Sequence, residues 1–377
     1  VRHPASLDPY LYSDPATGRI FTLDWIGGAN PWCSTISHSD DGARTWVTSP
    51  LACGGFDGES IAAGPPVSSP TIGYPNIVYY CTGASLGTGE PITTPSCSKS
   101  LDGGLTFEPT GGHPYEATGA EGTFPGWAGN PVVDPQGTLY LPKRHEGDPW
   151  VAISRDEGFT WELVRVAANR SSGAATRMAV VNDGSLVYTW TGGDHLPYIA
   201  RSTDGGDTWS PPKMIAAPNV NEAALPRVAA GPKGAIAVAY IGTENAPGGP
   251  PYYDFCNVHL GDCTDGRYAG VKWDGYIALI RHPDNPDPVI RTATAGGPSA
   301  PLLIGGCSAD GGCKAVLDFV DVQFDATGAP WAAFVDDCAI KRDFEPLFSR
   351  DLPRCGDGVG EGIVLTIART RQRLHHQ

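Results

Sequence analysis

Asn130, Arg177, Arg227 and Asp321 share one place in a recurring pattern: each stands seven residues before a turn glycine, Gly137, Gly184, Gly234 and Gly328. Tyr10 holds the related place four residues before Asp14, which opens the turn Asp14-Pro15-Ala16-Thr17-Gly18. A packed core does not select polar side chains at one equivalent position of otherwise apolar segments. A salt-bridged or water-filled lining would select them, and so would a ligand site. The segments after the next apolar run add Asp24, Arg144 within Lys143-Arg144-His145-Glu146, Asp194-His195, Glu244-Asn245 and Asp336-Asp337. Asp57, Glu59 and Trp127 precede other apolar runs. Arginine forks match a carboxylate bidentately, so Arg144, Arg177 and Arg227 suit an acidic sugar or another anion. Asp24, Asp57 and Glu59 are the carboxylates suited to general acid and base work. Tyr10, Trp127, Asn130, Arg144, Arg177, Arg227 and Asp321 form the candidate binding set.

These residues must be held by a repeated scaffold. Ser202-Thr203-Asp204-Gly205-Gly206-Asp207-Thr208-Trp209 has relatives at Ser39 to Trp46, Ser100 to Phe107 and Ser154 to Trp161, with aspartates spaced 61, 54 and 48 residues apart. The pattern is that of a hairpin turn. Asp and Ser oxygens accept backbone N–H groups, Gly supplies positive φ, Thr opens the returning strand, and the aromatic packs on the sheet. A second turn signal precedes each copy: Asp14 to Gly18, Asp134 to Gly137 and Asn182 to Ser185 are regular, and Thr71 to Asn76 is less so. Gly231 to Gly234 and Asp325 to Gly328 repeat that signal without a following copy. Each separates two apolar runs, so the chain reads as six four-stranded antiparallel meanders at about 8–50, 55–112, 124–168, 173–218, 222–295 and 313–370. The short segment 1–7 is expected to complete the last of them.

Composition narrows the class. The 49 Gly and 35 Pro against two Met favour short strands and turns over helix, and no apolar run reaches the length of a membrane span. A net charge of −15 argues against nucleic acid or an anionic membrane surface as partner. Ten cysteines fall in sequential couples, Cys33 with Cys53, Cys81 with Cys97, Cys256 with Cys263, Cys307 with Cys313 and Cys338 with Cys355. Without zinc-type spacing, the simplest expectation is five local disulfides in an oxidising compartment, hence a secreted protein. No cofactor is implied. The acidic pairs leave room for a structural calcium and for no catalytic metal.

The repeat resembles the Asp box, or BNR repeat, of sialidase-like β-propellers. The resemblance implies an all-β, six-bladed β-propeller forming a single domain over 1–377, with Asp41, Asp102, Asp156 and Asp204 as turn-holders. In such a meander the turns after strands one and three share one end, and the loops after strands two and four share the other, where the candidate residues would gather. If function follows the resemblance, the chain is a secreted glycoside hydrolase acting on an acidic or sialylated glycan. Arg177 and Arg227 would then hold the substrate carboxylate, and Asp24, Asp57 or Glu59 would move the proton. The Arg-Ile-Pro type motif that supplies the first arginine of a sialidase is absent near the N-terminus. Tyr140, Tyr188 and Tyr240 lie within second strands and read as core. The alternative is a non-catalytic extracellular propeller binding a glycan, a protein or a neighbouring subunit.

Overall fold

The computed structural model describes residues 10–26, 33–49, 52–53, 58–82, 95–115, 128–168, 171, 176–247, 270–285, 288–296, 301–304, 320–335 and 365–369. They are nearly all β, with one short 3-10 turn at Pro232–Gly234. The strands form six antiparallel sheets, each built from consecutive segments of chain. The first holds β1 (Tyr10–Ser13), β2 (Ile20–Ile26), β3 (Cys33–Ser39), β4 (Val47–Thr48) and β5 (Ala52–Cys53), and the second β6 (Ser60–Gly64), β7 (Ile77–Thr82), β8 (Ser96–Ser100) and β9 (Glu108–Pro109). The third holds β10 (Val132–Val133), β11 (Leu139–His145), β12 (Asp148–Ser154) and β13 (Glu162–Arg165), and the fourth β14 (Arg177–Val180), β15 (Leu186–Thr191), β16 (Pro197–Ser202) and β17 (Lys213–Met214). The fifth holds β18 (Glu222–Ala230), β19 (Ile236–Thr243), β20 (Lys272–Arg281), β21 (Val289–Ala295) and β22 (Leu303–Ile304), and the sixth β23 (Val320–Phe324), β24 (Pro330–Val335) and β25 (Leu365–Arg369). The main path of each sheet falls in one of the expected meanders, whereas β5 and β22 lie beyond the expected ends at 50 and 295. The segment 1–7 lies outside the described residues.

Two compact units emerge: Val1–Ala168 with Ser202–Trp209, and Asn169–Arg201 with Ser210–Gln377. Within the first, Phe21, Leu23 and Ile36 pack against Ile61, Val78 and Tyr80, joining the first two sheets. Ile77, Tyr79 and Leu139 join the second sheet to the third. Within the second unit, Val187, Ile199 and Val238 belong to one core, and Ala239, Ile277, Val322 and Phe334 to another. Tyr140, Tyr188 and Tyr240 are core residues, at most 1% exposed.

Hydrogen bonding in the turns follows from residue chemistry. Asp102 Oδ1 accepts the N–H groups of Leu105 and Thr106 at 3.0 and 2.9 Å, and Oδ2 accepts the Thr106 hydroxyl at 2.7 Å. Ser100 Oγ donates to the same carboxylate at 2.7 Å while accepting Gly104 N–H at 2.8 Å. Asp41, Asp156 and Asp204 hold their own threonines in the same way. The N–H and hydroxyl of Thr45 keep Asp41 at about 2, and the hydroxyl and N–H of Thr208 do the same for Asp204. The box indoles add a bond that the sequence pattern does not suggest. Trp46 and Trp209 donate Nε1–H back to the carbonyls of Ala43 and Gly206, at 3.2 and 3.0 Å. In the upstream turns Asp14, Asp134, Asp183 and Asp325 each accept the N–H two residues on, at 2.9 Å.

Two local expectations are corrected. Asp24 and the run Lys143-Arg144-His145 are strand residues and do not lie in loops. Asp24 pairs with Thr35 across β2 and β3, and β11 continues to His145, opposite Asp148, before turning over Glu146 and Gly147 alone. Both turn residues have positive φ, 51° and 82°, the geometry of a two-residue hairpin that lets the strands run to their ends. Arg227 lies well inside β18. Cys81 is bonded to Cys97. Cys33 is disulfide-bonded and stands opposite Cys53 in register. The six remaining cysteines fall outside the described residues.

Candidate functional site

In the second unit three consecutive first strands, β14, β18 and β23, lie side by side and carry Arg177, Arg227 and Asp321. Arg177 opens β14 opposite Thr189 and donates Nη1–H to the carbonyl of Thr176 at 2.8 Å. Arg227 is oriented by a β-bulge. Ala224 pairs with Ile241 and Arg227 with Ala239, so three steps along β18 match two along β19. Without the extra residue, Ala224 and Arg227 would point to opposite faces; with it they share one. The sequence reason is Leu225-Pro226. Leu225 adopts φ 55°, and Pro226 has no N–H to give the ladder. Arg227 is thereby aimed to the face where Ala224 and Ala229 meet Val320 and Val322 of β23, and it is only 8% exposed.

Asp321 alternates with buried Val320 and Val322 and keeps solvent-accessible surface. Protein nevertheless crowds its carboxyl, and that desolvation raises its pKa. The Val322 N–H, at 2.8 Å from Oδ1, and the charges of Arg227 and Arg177 pull the other way without overcoming it. Burial wins although two cations are near. The trio therefore places two fixed positive charges on strands beside one carboxyl whose pKa is raised.

The first unit assembles a different group. β6 lies beside both β1 and β10. Asn130 Nδ2 donates to the Tyr10 hydroxyl at 2.7 Å, and Glu59, 6% exposed, stands just before β6. The negative charge of Glu59 adds to burial in raising the Tyr80 hydroxyl, which shares a hydrogen bond of 3.0 Å with Ser34. A residue the sequence analysis passed over sets this geometry. Tyr12 accepts the Ala63 N–H at 3.1 Å and so fixes β1 on β6. The signal was available: Tyr10 and Tyr12 are two apart in a strand and share a face. Asp24 follows Leu23, the register partner of Tyr10, and so points to the opposite face of β2. Arg144 is half-buried in β11 on the face opposite Lys143, whose Nζ lies 5.2 Å above the Tyr115 ring. Asp57 and Trp127 lie outside the described residues, as do Asp336 and Asp337. Among the described residues no group of three metal-ligating side chains occurs.

Residues 75–245 match the family described as a BNR repeat-like domain. No curated protein matches the sequence. Among solved structures, a protein of unknown function from Dyadobacter fermentans is similar at 14% identity and TM-score 0.48, over 87% of this chain and 89% of that one. A sialidase of Streptococcus pneumoniae is similar at 10% identity and TM-score 0.48, over 88% of this chain and 65% of its own length. An α-L-arabinofuranosidase of Fusarium graminearum is similar at 14% identity and TM-score 0.47, over 78% and 94%. Likenesses of this size assign neither substrate nor activity to this chain.

Proposed function

We propose that this chain, whose residues 75–245 match a BNR repeat-like domain, is a secreted glycoside hydrolase that recognises the carboxylate of an acidic or sialylated glycan at Arg177 and Arg227. The observation that carries the reading is the placing of both guanidiniums on adjoining first strands, beside Asp321. Two arginines offer forked donors to one carboxylate, and their anchoring to the carbonyls of Thr176 and Pro226 lowers the entropy lost when the ligand is gripped. Asp24, Asp57 and Glu59, the carboxylates that the resemblance to sialidases implies for proton transfer, are proposed for that role. Secretion belongs to the same proposal and is supported by the Cys81–Cys97 disulfide. Among the described residues no helix is long and apolar enough to cross a membrane.

The test is turnover of fluorogenic α-sialosides and β-glucuronides by the full chain. Hydrolysis that falls at least a hundredfold in Glu59→Gln, with ligand affinity retained, supports the hydrolase. Binding of the acidic sugar that is lost in Arg227→Ala, with no turnover in any variant, would instead establish a glycan-binding module. Absence of both binding and turnover rejects acidic-glycan recognition.

A further inference from the structure

The outermost strands of the sheets differ in how they meet solvent. A terminal strand leaves a row of N–H and C=O groups unpaired and invites another chain to join, and proteins blunt such edges with short strands, charges or proline. Among the described residues, the fourth strands of the first four sheets follow that rule. β4 (Val47–Thr48) has two residues, β9 (Glu108–Pro109) ends in proline, β13 (Glu162–Arg165) carries a charge at each end, and β17 (Lys213–Met214) opens on lysine. β21 (Val289–Ala295) breaks it. It runs for seven residues, holds neither proline nor lysine, and has one charge, Arg291. β20 pairs with it along its whole length, from Gly275 opposite Ala295 to Arg281 opposite Val289, and no described strand joins its far side. Val289 is 52% exposed, and Arg291, Thr292 and Thr294 are exposed as well.

We propose that β21 is a dimerisation edge, at which a second copy of this chain adds its own β21 antiparallel and continues the fifth sheet across a two-fold axis. The strand's own sequence selects this occupant. An antiparallel pair in which all seven residues overlap puts Thr292 on the axis, opposite the Thr292 of the second copy. Val289 then meets Ala295, Ile290 meets Thr294, and Arg291 meets Ala293. Each larger side chain faces a smaller one, and the only charge does not face itself. Ile290, Thr292 and Thr294 share one face and are all β-branched, so the joined strands present the cross-strand contacts that stabilise a sheet. Such an edge is self-complementary and is used up when two copies meet, so growth stops at the dimer. The net charge of −15 on each copy opposes the encounter, and salt should therefore tighten the dimer. The inference is independent of the glycan reading, since no residue of β21 belongs to that site.

The experiment is sedimentation velocity on the full chain from about 1 to about 200 μM, paired with amide hydrogen exchange over 289–295. The unaltered protein should pass from monomer to dimer with no larger species, and the amides of β21 should gain protection as the dimer fills. The dimer should tighten at least about threefold between about 20 and about 150 mM salt. Thr292→Lys and Thr292→Glu each set like charges on the axis, and each should weaken the dimer by at least about tenfold. Mixing the two variants in equal amounts should restore it, because a lysine then faces a glutamate. Thr292→Lys also lessens the net negative charge, so its loss of dimer reports contact at the axis and not repulsion between whole molecules. Thr292 is exposed, and both variants should keep the melting temperature of the unaltered protein within a few degrees. A chain that stays monomeric throughout overturns the inference. Free exchange of its β21 amides would then leave the edge to a different protein, and protection at every concentration would assign it to a segment of the same chain. A dimer that survives in both variants, or species larger than a dimer, overturns the inference equally.

Discussion

At the scale of single residues the chemistry lies in who neutralises whom. Arg227 is nearly buried and reaches its face only through the bulge at Leu225-Pro226. We predict that Arg227→Lys loses most of the affinity for an acidic sugar, because a point charge on a flexible stem does not reproduce the planar fork. The loss should be about 1–3 kcal/mol, appearing in KM or Kd while the melting temperature stays within a few degrees. Glu157 is a second buried charge, with a structural task. It replaces a glycine in the third Asp box at φ 62°, and one carboxylate oxygen accepts the N–H groups of Val67, Ser68 and Ser69 at 2.9, 2.7 and 2.9 Å. Its other oxygen takes the Ser69 hydroxyl and pairs with Lys99 Nζ at 3.1 Å. Burial raises this carboxyl, and the donors lower it further than burial raises it, to about 2. A carboxyl depressed in the folded state stabilises above its unfolded pKa and loses that contribution as pH falls towards the folded value. The first unit should therefore lose about 2 kcal/mol between roughly pH 5 and roughly pH 2 from this group. Glu157→Gln should flatten that part of the acid-unfolding profile, as followed by tryptophan fluorescence.

At the scale of elements, the turns decide which strands can meet. Asp102→Ala removes four accepted bonds from one hairpin and should cost about 1–2 kcal/mol in thermal unfolding, with glycan binding unchanged. Gly137 is less replaceable. Its φ is +85°, and a Cβ there would come 2.6 Å from the carbonyl oxygen of Pro65, which directly follows β6 of the second sheet. Gly137→Ala should thus separate the second and third sheets locally and expose amides of β10 to hydrogen exchange, at a cost of about 1–3 kcal/mol. The Cys81–Cys97 bond ties β7 to β8 across a span of 16 residues. Replacing both cysteines with serine should lower stability by about 2–3 kcal/mol, measured in denaturant under non-reducing conditions.

At the scale of the whole molecule, the net charge of −15 opposes the approach of any anion, while Arg177 and Arg227 attract it at short range. Association of a sugar acid should therefore accelerate as salt rises from about 10 to about 150 mM, the sign opposite to that of a steered encounter, and stopped-flow binding would show it. The same charge predicts no retention on DNA or on anionic vesicles at physiological salt.

The strand and turn pattern could be read directly from the chain because it is set locally. Asp102, Thr106 and Ser100 are within six residues of one another, and turn chemistry at that range depends on residue type alone. The equal spacing of Arg177, Arg227 and Asp321 from their turn glycines was likewise visible, since a meander copies position from one repeat to the next. What each side chain faces was decided only by tertiary structure. One extra residue in β18 reverses the direction of Arg227, the length of β11 turns an expected loop into strand, and alternation along β2 sends Asp24 away from Tyr10. These outcomes depend on register between strands, which is fixed by packing and not by the sequence of either strand taken singly. The raised pKa of Asp321 belongs to the same class, because desolvation is a property of everything folded around a group.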